Sequence, residues 1–547
     1  MNTNNNAANG VLPALTSLEI SGAKQLDDNP IDFAIFRYKE EGALERIDLS
    51  KTKFANEKND STFTVDCQKL SKVKYIDISN SPVTSLLLPP SILQTLKVSY
   101  SNIFHFSMEN QPILNAIDFT GCNKLQTIKM NKCKGLETLV IGGESGLTTL
   151  DTVEIQDCEN LTSVTINNNA ALATITINNC GKLKEITITN CVSRNLAISI
   201  LGCPLQKINL SHLEGMTAPI VLPTADMVSG VTSFNISNDF KFGGIKYGSV
   251  SELETIGGDF VLDLSVYPLL TGADDTFISN VSTIKYIRVK NKETEPFNLY
   301  SSFLSGVSRL KRIFGHICLC EDMIFKGLSD FYLNDAVVPV NGVTPFNSPV
   351  FNNGRSYTNV SLKTKTLSQM FRGTSCSLGD LYYIMQKCDA TVLDLSWAFT
   401  DCKKMVSDNT DQLNKNLFAN CTNVKNIDYI FSGSNVGGLL DNELFAAMIN
   451  LESFNNVFSD EVAVYANFNE QNYFFPSVNK IKEISHFNPY PYVTGDTSYI
   501  SFPDGNLLHN LPELETISYS FNRPTNLFFD SAGDLFENTP KLKNVIE

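Results

Sequence analysis

The most compact set of metal-ligating side chains in the chain is the segment HICLC, in which His316, Cys318 and Cys320 alternate. Residues two apart share a strand face, so an imidazole and two thiolates at this spacing would suit a borderline metal such as zinc. A zinc site needs a second ligand pair, and none follows at zinc-site spacing; the segment reads instead as a buried apolar strand face. The five histidines, His105, His212, His316, His486 and His509, form no H-E-x-x-H arrangement. No G-x-S-x-G elbow, no phosphate-cradling glycine loop with its lysine and no Cys-His nucleophile signature is present. The expectation is a protein that is not an enzyme, with no catalytic, cofactor-binding or metal-binding residues and no cofactor.

Two further residue sets could act at a surface. Thr127, Thr152, Thr165, Thr174, Thr176, Thr187 and Thr189 fall at outward positions, as in some ice-binding proteins, but Lys129, Glu154 and Glu185 break the columns. An ordinary solvated face, where threonine suits β geometry, explains them better. The stretch 467–503 is dense in aromatics, and if it is a surface loop then Tyr473, Phe474, Phe475, Tyr490, Tyr492 and Tyr499 are the candidate contact residues. An aromatic plug sealing the interior is the competing reading.

The elements that would carry these residues come from repetition. LNAIDFTGC (Leu114 to Cys122), LQTIKMNKC (Leu125 to Cys133), LDTVEIQDC (Leu150 to Cys158), LTSVTINNN (Leu161 to Asn169), LATITINNC (Leu172 to Cys180) and LKEITITNC (Leu183 to Cys191) share L-x-x-I-x-I-x-x-C/N. Positions three to seven alternate polar and apolar, the period of a half-buried strand. The ninth, Cys or Asn, marks the strand's end, where the chain turns with its backbone groups satisfied from inside the stack. A step of about eleven residues is too short to circle a core, since even a leucine-rich repeat needs roughly twenty. Two units therefore make one coil of about 22 residues, giving a flattened solenoid with a strand on each of two faces. Degenerate copies run upstream from Val73, Val83, Leu93 and Ile103, and downstream to Leu213. The lengthened step around Glu144 predicts a bulge or small loop.

From Leu15 to about Leu213 these units resemble bacterial leucine-rich-repeat proteins of the form L-x-x-L-x-L-x-x-N-x-x-L, many of them from gut bacteria and their bacteriophages. The resemblance implies a leucine-rich-repeat solenoid whose exposed positions bind proteins, glycans or virion partners. Here Cys, Ser and Glu replace Asn at several turns.

The second half repeats differently. LFANCTNVKNIDYIF (Leu417 to Phe431), LFAAMINLESFNNVF (Leu444 to Phe458), LLHNLPELETISYSF (Leu507 to Phe521) and LFENTPKLKNVIE (Leu535 to Glu547) share a Leu-Phe-type start, a central Leu and a terminal apolar residue, with weaker copies from Phe277 and Phe303. Such units predict helix-backed coils of about 26 to 28 residues with a phenylalanine plugging the far side. The pattern resembles the BspA-like surface-antigen class of leucine-rich repeats. The domain expectation is a β-solenoid over 1–214, an irregular junction over 215–276, and a second solenoid over 277–547 with insertions near 335–367 and 467–503; the fold class is an α/β repeat solenoid.

Composition bounds the partners. At 547 residues and 42% hydrophobic, the chain can fill a long continuous core. A formal net charge of −15 without any Lys/Arg cluster argues against a nucleic-acid partner. No apolar run of about eighteen residues offers a membrane span, and the start has no secretory pattern. N-x-S/T triplets such as Asn160 to Thr162 and Asn235 to Ser237 are then chance occurrences. The thirteen cysteines sit largely at ladder positions and read as reduced, buried thiols. The function expected is a structural or interaction protein. It would be a bacteriophage virion component, in the tail or head-fibre apparatus, contacting virion proteins or the host surface, with copy number set by the assembly. The alternative is a secreted or surface-bound BspA-like adhesin that binds host proteins or glycans, extracellular or on the bacterial cell surface.

Overall fold

The computed structural model describes residues 15–23, 43–52 and 63–333, with short breaks at 91, 144–145, 194, 238–241, 250–252, 257, 274–276 and 302–306. It then describes 358–403, 405, 413, 416–434, 438–441, 443–458, 464–467, 475, 479–487, 490–491, 500–502, 508–520, 527–529, 536 and 538–546. The chain divides into two compact units, 1–254 with 266–270, and 255–265 with 271–547.

In the first unit, successive eleven-residue units alternate between two parallel sheets. Thr127–Asn131, Thr152–Gln156, Thr174–Asn178 and Ala197–Leu201 lie side by side on one face. Thr138–Ile141, Ser163–Asn167, Glu185–Thr189 and Lys207–Ser211 line the other. Residues stacked on each other, such as Glu185 and Lys207, are 22 apart, so two units do make one coil. Inward positions of every strand are buried, Ile128, Ile155, Ile177 and Ile200 among them, because period-two alternation sends each second side chain into the slab. Glu144 lies outside the described residues; beside it Gly142 and Gly143 turn the chain with φ of 116° and 82°. A β-carbon on Gly142 would stand 1.8 Å from the carbonyl oxygen of Asn167 on the next coil, so only glycine fits.

The stretch expected to be an irregular junction carries further rungs. Ile220–Leu222 and Ile245–Tyr247 extend the first face, and Ser233–Ser237 the second. Spacing there loosens, which hides the period without ending the stack.

The second unit is also a parallel solenoid. Asp259–Asp263, Tyr286–Arg288 and the first half of Arg312–Leu319 form one ladder. Gly272–Ala273, Phe297–Leu299 and the second half of the same strand form another. The strand changes ladder at Gly315, whose φ of 114° bends it; a β-carbon there would meet the Val289 carbonyl oxygen at 2.2 Å. Rungs continue through Thr366, Asp394, Asn426 and Ser453 to Glu483–Ser485, Thr516–Ser518 and Asn544–Ile546.

The expected helix backing is largely absent among the described residues. The Leu-Phe steps at Leu417 and Leu444 are turns, and short parallel strands such as Gly438–Asp441 and Val464–Asn467 pair elsewhere in the coil. Among the described residues of this unit one helix stands, Leu378–Lys387, opened by a reciprocal Ser377/Asp380 cap and buried along Leu381, Ile384 and Met385. The phenylalanine plugs are real. Phe325, Phe371 and Phe399 stack with ring centres 5.6 and 5.2 Å apart, and Phe418 stacks on Phe445 at 5.5 Å.

Candidate functional site

His316 and Cys318 do share a strand, but not a ligand field. His316 is buried, its Nε2 is 2.7 Å from the Ser361 hydroxyl, and burial lowers its pKa, keeping the ring neutral. Cys318 is fully buried, and Cys320 lies past the strand end, half-buried, with its Sγ directed at the Cys318 carbonyl. Among the described residues no group of three or more His, Cys, Asp or Glu side chains could hold a metal ion.

All thirteen cysteines are free thiols and twelve are buried. Cys133, Cys158, Cys180 and Cys203 stack at one corner, each thiol pointing at the carbonyl two residues before it. The threonine columns are interrupted as expected, with Lys129 paired to Glu154 at 2.9 Å and Lys207 to Glu185 at 2.7 Å across adjacent coils.

Of the aromatic contact candidates, Tyr473, Phe474, Tyr492 and Tyr499 lie outside the described residues. Tyr490 is in a short strand paired with Tyr465, and nothing is described of its side chain. Phe475 is corrected: it is buried, its ring 6.1 Å from Phe445 and 5.0 Å edge-on to Phe454. It continues the Phe418–Phe445 file, so Phe475 holds the phenylalanine place of a further coil. Lys480 through Phe487 complete that coil, and at these residues the stretch is a repeat unit instead of an insertion.

The most ordered exposed feature lies elsewhere in the second unit. After each rung one residue takes a left-handed conformation: Met323, Gln369, Trp397, Tyr429, Asn456, His486 and Tyr519, with φ between 50° and 58°. Each donates its backbone N–H to the next coil, as Trp397 does to the Asp428 carbonyl at 2.8 Å and His486 to the Ser518 carbonyl at 3.0 Å, so they form one file. Trp397 and Tyr429 stack at 3.9 Å and 11°, and His486 stacks on Tyr519 at 5.2 Å. Arg372 caps the other face of Trp397 at 4.8 Å and is held by Asp401 at 3.5 Å. The side chains are half-buried to exposed, Met323 at 40% and Tyr519 at 48%.

Beside this file run two polar columns. One is Thr366, Asp394, Asn426, Ser453, Glu483 and Thr516; the other, two residues on, is Ser368, Ser396, Asp428, Asn455, Ser485 and Ser518. They are tied rung to rung. Ser368 meets Ser396 at 3.1 Å, Ser453 donates to Asp428 at 2.8 Å, and Ser485 donates to Asn455 at 2.9 Å.

Sequence reading missed this strip, although a signal was present. LSQMF, LSWAF, IDYIF and FNNVF, starting at Leu367, Leu395, Ile427 and Phe454, repeat an apolar residue, a small polar one and a terminal Phe around the left-handed position.

The first unit fills most of its left-handed corners with residues suited to them, Asn80, Asn110, Asp157, Asn168, Asn179 and Asn190, with Lys51, Tyr100, Lys132 and His212 at the others. The second unit puts tryptophan, tyrosine, histidine, glutamine and methionine there. A bulky side chain in this region is a genuine outlier and costs roughly 1–2 kcal/mol per residue.

Comparison with family models and with curated proteins gives no match. Among solved structures, a plant peptide hormone receptor, RGFR1, in complex with RGF2 aligns over 98% of this chain and 90% of that one, at 13% identity and a TM-score of 0.21. At that score the likeness carries no argument.

Proposed function

We propose that this protein is a non-enzymatic binding scaffold whose second unit presents the left-handed file to a partner. The observation that carries the reading is the strain itself. Bulky residues held at φ near 55° on successive coils persist only where something other than local stability selects them, and such outliers cluster at binding sites. Trp, Tyr and Arg, concentrated at Trp397, Tyr429 and Arg372, are also the side chains that most often anchor interfaces. Most apolar residues of the described chain are buried in the stacked ladders, which supports a scaffold.

The setting we propose is a bacteriophage particle, in the tail or head-fibre apparatus, where the file would contact a virion protein or the host surface. The resemblance of the eleven-residue units supports it. Purified particles should contain the protein at fixed stoichiometry, and the Trp397→Ala/Tyr429→Ala double variant should weaken its attachment. Recovery in a secreted or cell-surface fraction would replace the virion with the BspA-like adhesin. Loss of a measured enzymatic activity on changing His316 and Cys318 would end the non-enzymatic reading.

A further inference from the structure

We infer that the strip binds an extended, uncharged polysaccharide chain running along the solenoid axis, one sugar ring to each coil. This rests on the strip being a contact surface, as proposed above, and names its ligand class.

The chemistry of the two polar columns selects the ligand. The first column, with Ser368, Asp428 and Asn455 of the second, offers hydroxyl, amide and carboxylate groups along six consecutive rungs, Ser396, Ser485 and Ser518 being buried; the columns themselves hold no cation and no apolar group larger than a threonine methyl. A protein partner on these columns would find no apolar pocket to anchor in. A polyanion would face three carboxylates on the columns themselves, Asp394, Asp428 and Glu483; of the exposed lysines that flank the first column, Lys365, Lys425 and Lys482, Lys425 is already paired with Glu452. A chain of hydroxyls meets acceptors and donors at every step.

Spacing supports the same choice. Rungs of a parallel sheet repeat every 4.7–4.9 Å, and an extended β-linked pyranose chain advances by about as much per ring. Each sugar can therefore make the contacts of its neighbour one coil on, which favours a long ligand over a short one. The left-handed file forms a wall along one side. Both faces of the Trp397 ring are covered, by Tyr429 and Arg372, so this wall meets sugar through ring edges and through Trp397 Nε1–H and the Tyr429 hydroxyl. Neither of these two groups has a hydrogen-bond partner among the described residues.

The test is a length series. Neutral β-1,4-linked oligomers of glucose, N-acetylglucosamine and mannose, from two to eight rings, are titrated calorimetrically into the full chain. Affinity should rise with each ring in at least one series and level off at about six, one for each rung from Thr366 to Thr516. Thr516→Lys should move the plateau to a shorter oligomer. Trp397→Ala/Tyr429→Ala should lower affinity about tenfold, the loss of one good contact, and circular dichroism checks that both variants fold. The inference is overturned if no neutral series binds, if affinity is independent of length, or if both variants bind unchanged. Should sugars fail while the double variant still loses particle or cell attachment, the contact surface stands with a protein partner; should neither change, both readings fall.

Discussion

A β-carbon in the left-handed region crowds the following carbonyl, and asparagine escapes part of that cost because its short amide bonds locally. Both asparagine and bulkier residues occupy this corner, which makes the cost measurable. Gln369→Asn should raise stability by about 1 kcal/mol and should weaken binding along the strip. Asn179→Ala in the first unit should lose a similar amount with no effect on binding. Native-state hydrogen exchange of the flanking coils reads both, and unchanged protection in Gln369→Asn would remove strain as the reason to think the file functional. A second residue-scale prediction concerns Cys320, the one cysteine not fully buried. The neighbouring Cys318 thiol, and after it Lys363, lower its pKa from the ordinary thiol value, while the Cys318 thiol is pushed up. Brief alkylation of the folded protein near neutral pH should label Cys320 first, as peptide mapping would show. At this scale the sequence was partly legible. The template's ninth position was correctly inward, but the left-handed residue is the eighth, Lys132, Asp157, Asn168 or Asn179, because the turn itself is what delivers Cys or Asn to the interior. In the second unit Trp397 and Tyr429 disguise the same corner, since nothing in their type announces a positive φ.

Elements here are defined by what stacks coil on coil, and the phenylalanine files decide how much of the second unit is regular. Phe445 packs between Phe418 and Phe475, so Phe475→Ala should cost about as much as a buried core truncation, 3–5 kcal/mol. Loss of hydrogen-exchange protection should spread over the adjacent coils. A surface phenylalanine would change nothing there, so the measurement separates plug from contact. The coil was illegible because its rungs lie 30 and 33 residues from their neighbours, beyond the 26 to 28 that the pattern allowed. The two-faced slab of the first unit was legible from arithmetic alone, because eleven residues cannot circle a core. Gly315 was not, since only the meeting of two ladders in one strand shows why a glycine must bend it. Gly315→Ala should destabilise by about 3 kcal/mol, the upper end of ordinary substitutions.

Over the whole molecule, an interior lined by thiols has a consequence that no single coil shows. Burial pushes the thiols of Cys191 in the first unit and Cys402 in the second from an ordinary 9.0 to about 11. A neutral thiol is favoured in the fold, while the unfolded chain ionises near its ordinary value. Their contribution is therefore intact below about pH 9 and is lost as pH rises from there through about 11. At about 1.4 kcal/mol per pKa unit, each could withdraw about 2–3 kcal/mol by pH 11. Both units should weaken together, since each holds one such thiol. Urea midpoints should fall once pH passes about 9, and Cys191→Ala should flatten the fall in the first unit only. Because coils unfold with their neighbours and not as one body, peptide-resolved hydrogen exchange in urea is the readout to use. Equal slopes in the variant and the parent across the first unit would show that the buried ladder does not set the alkaline limit.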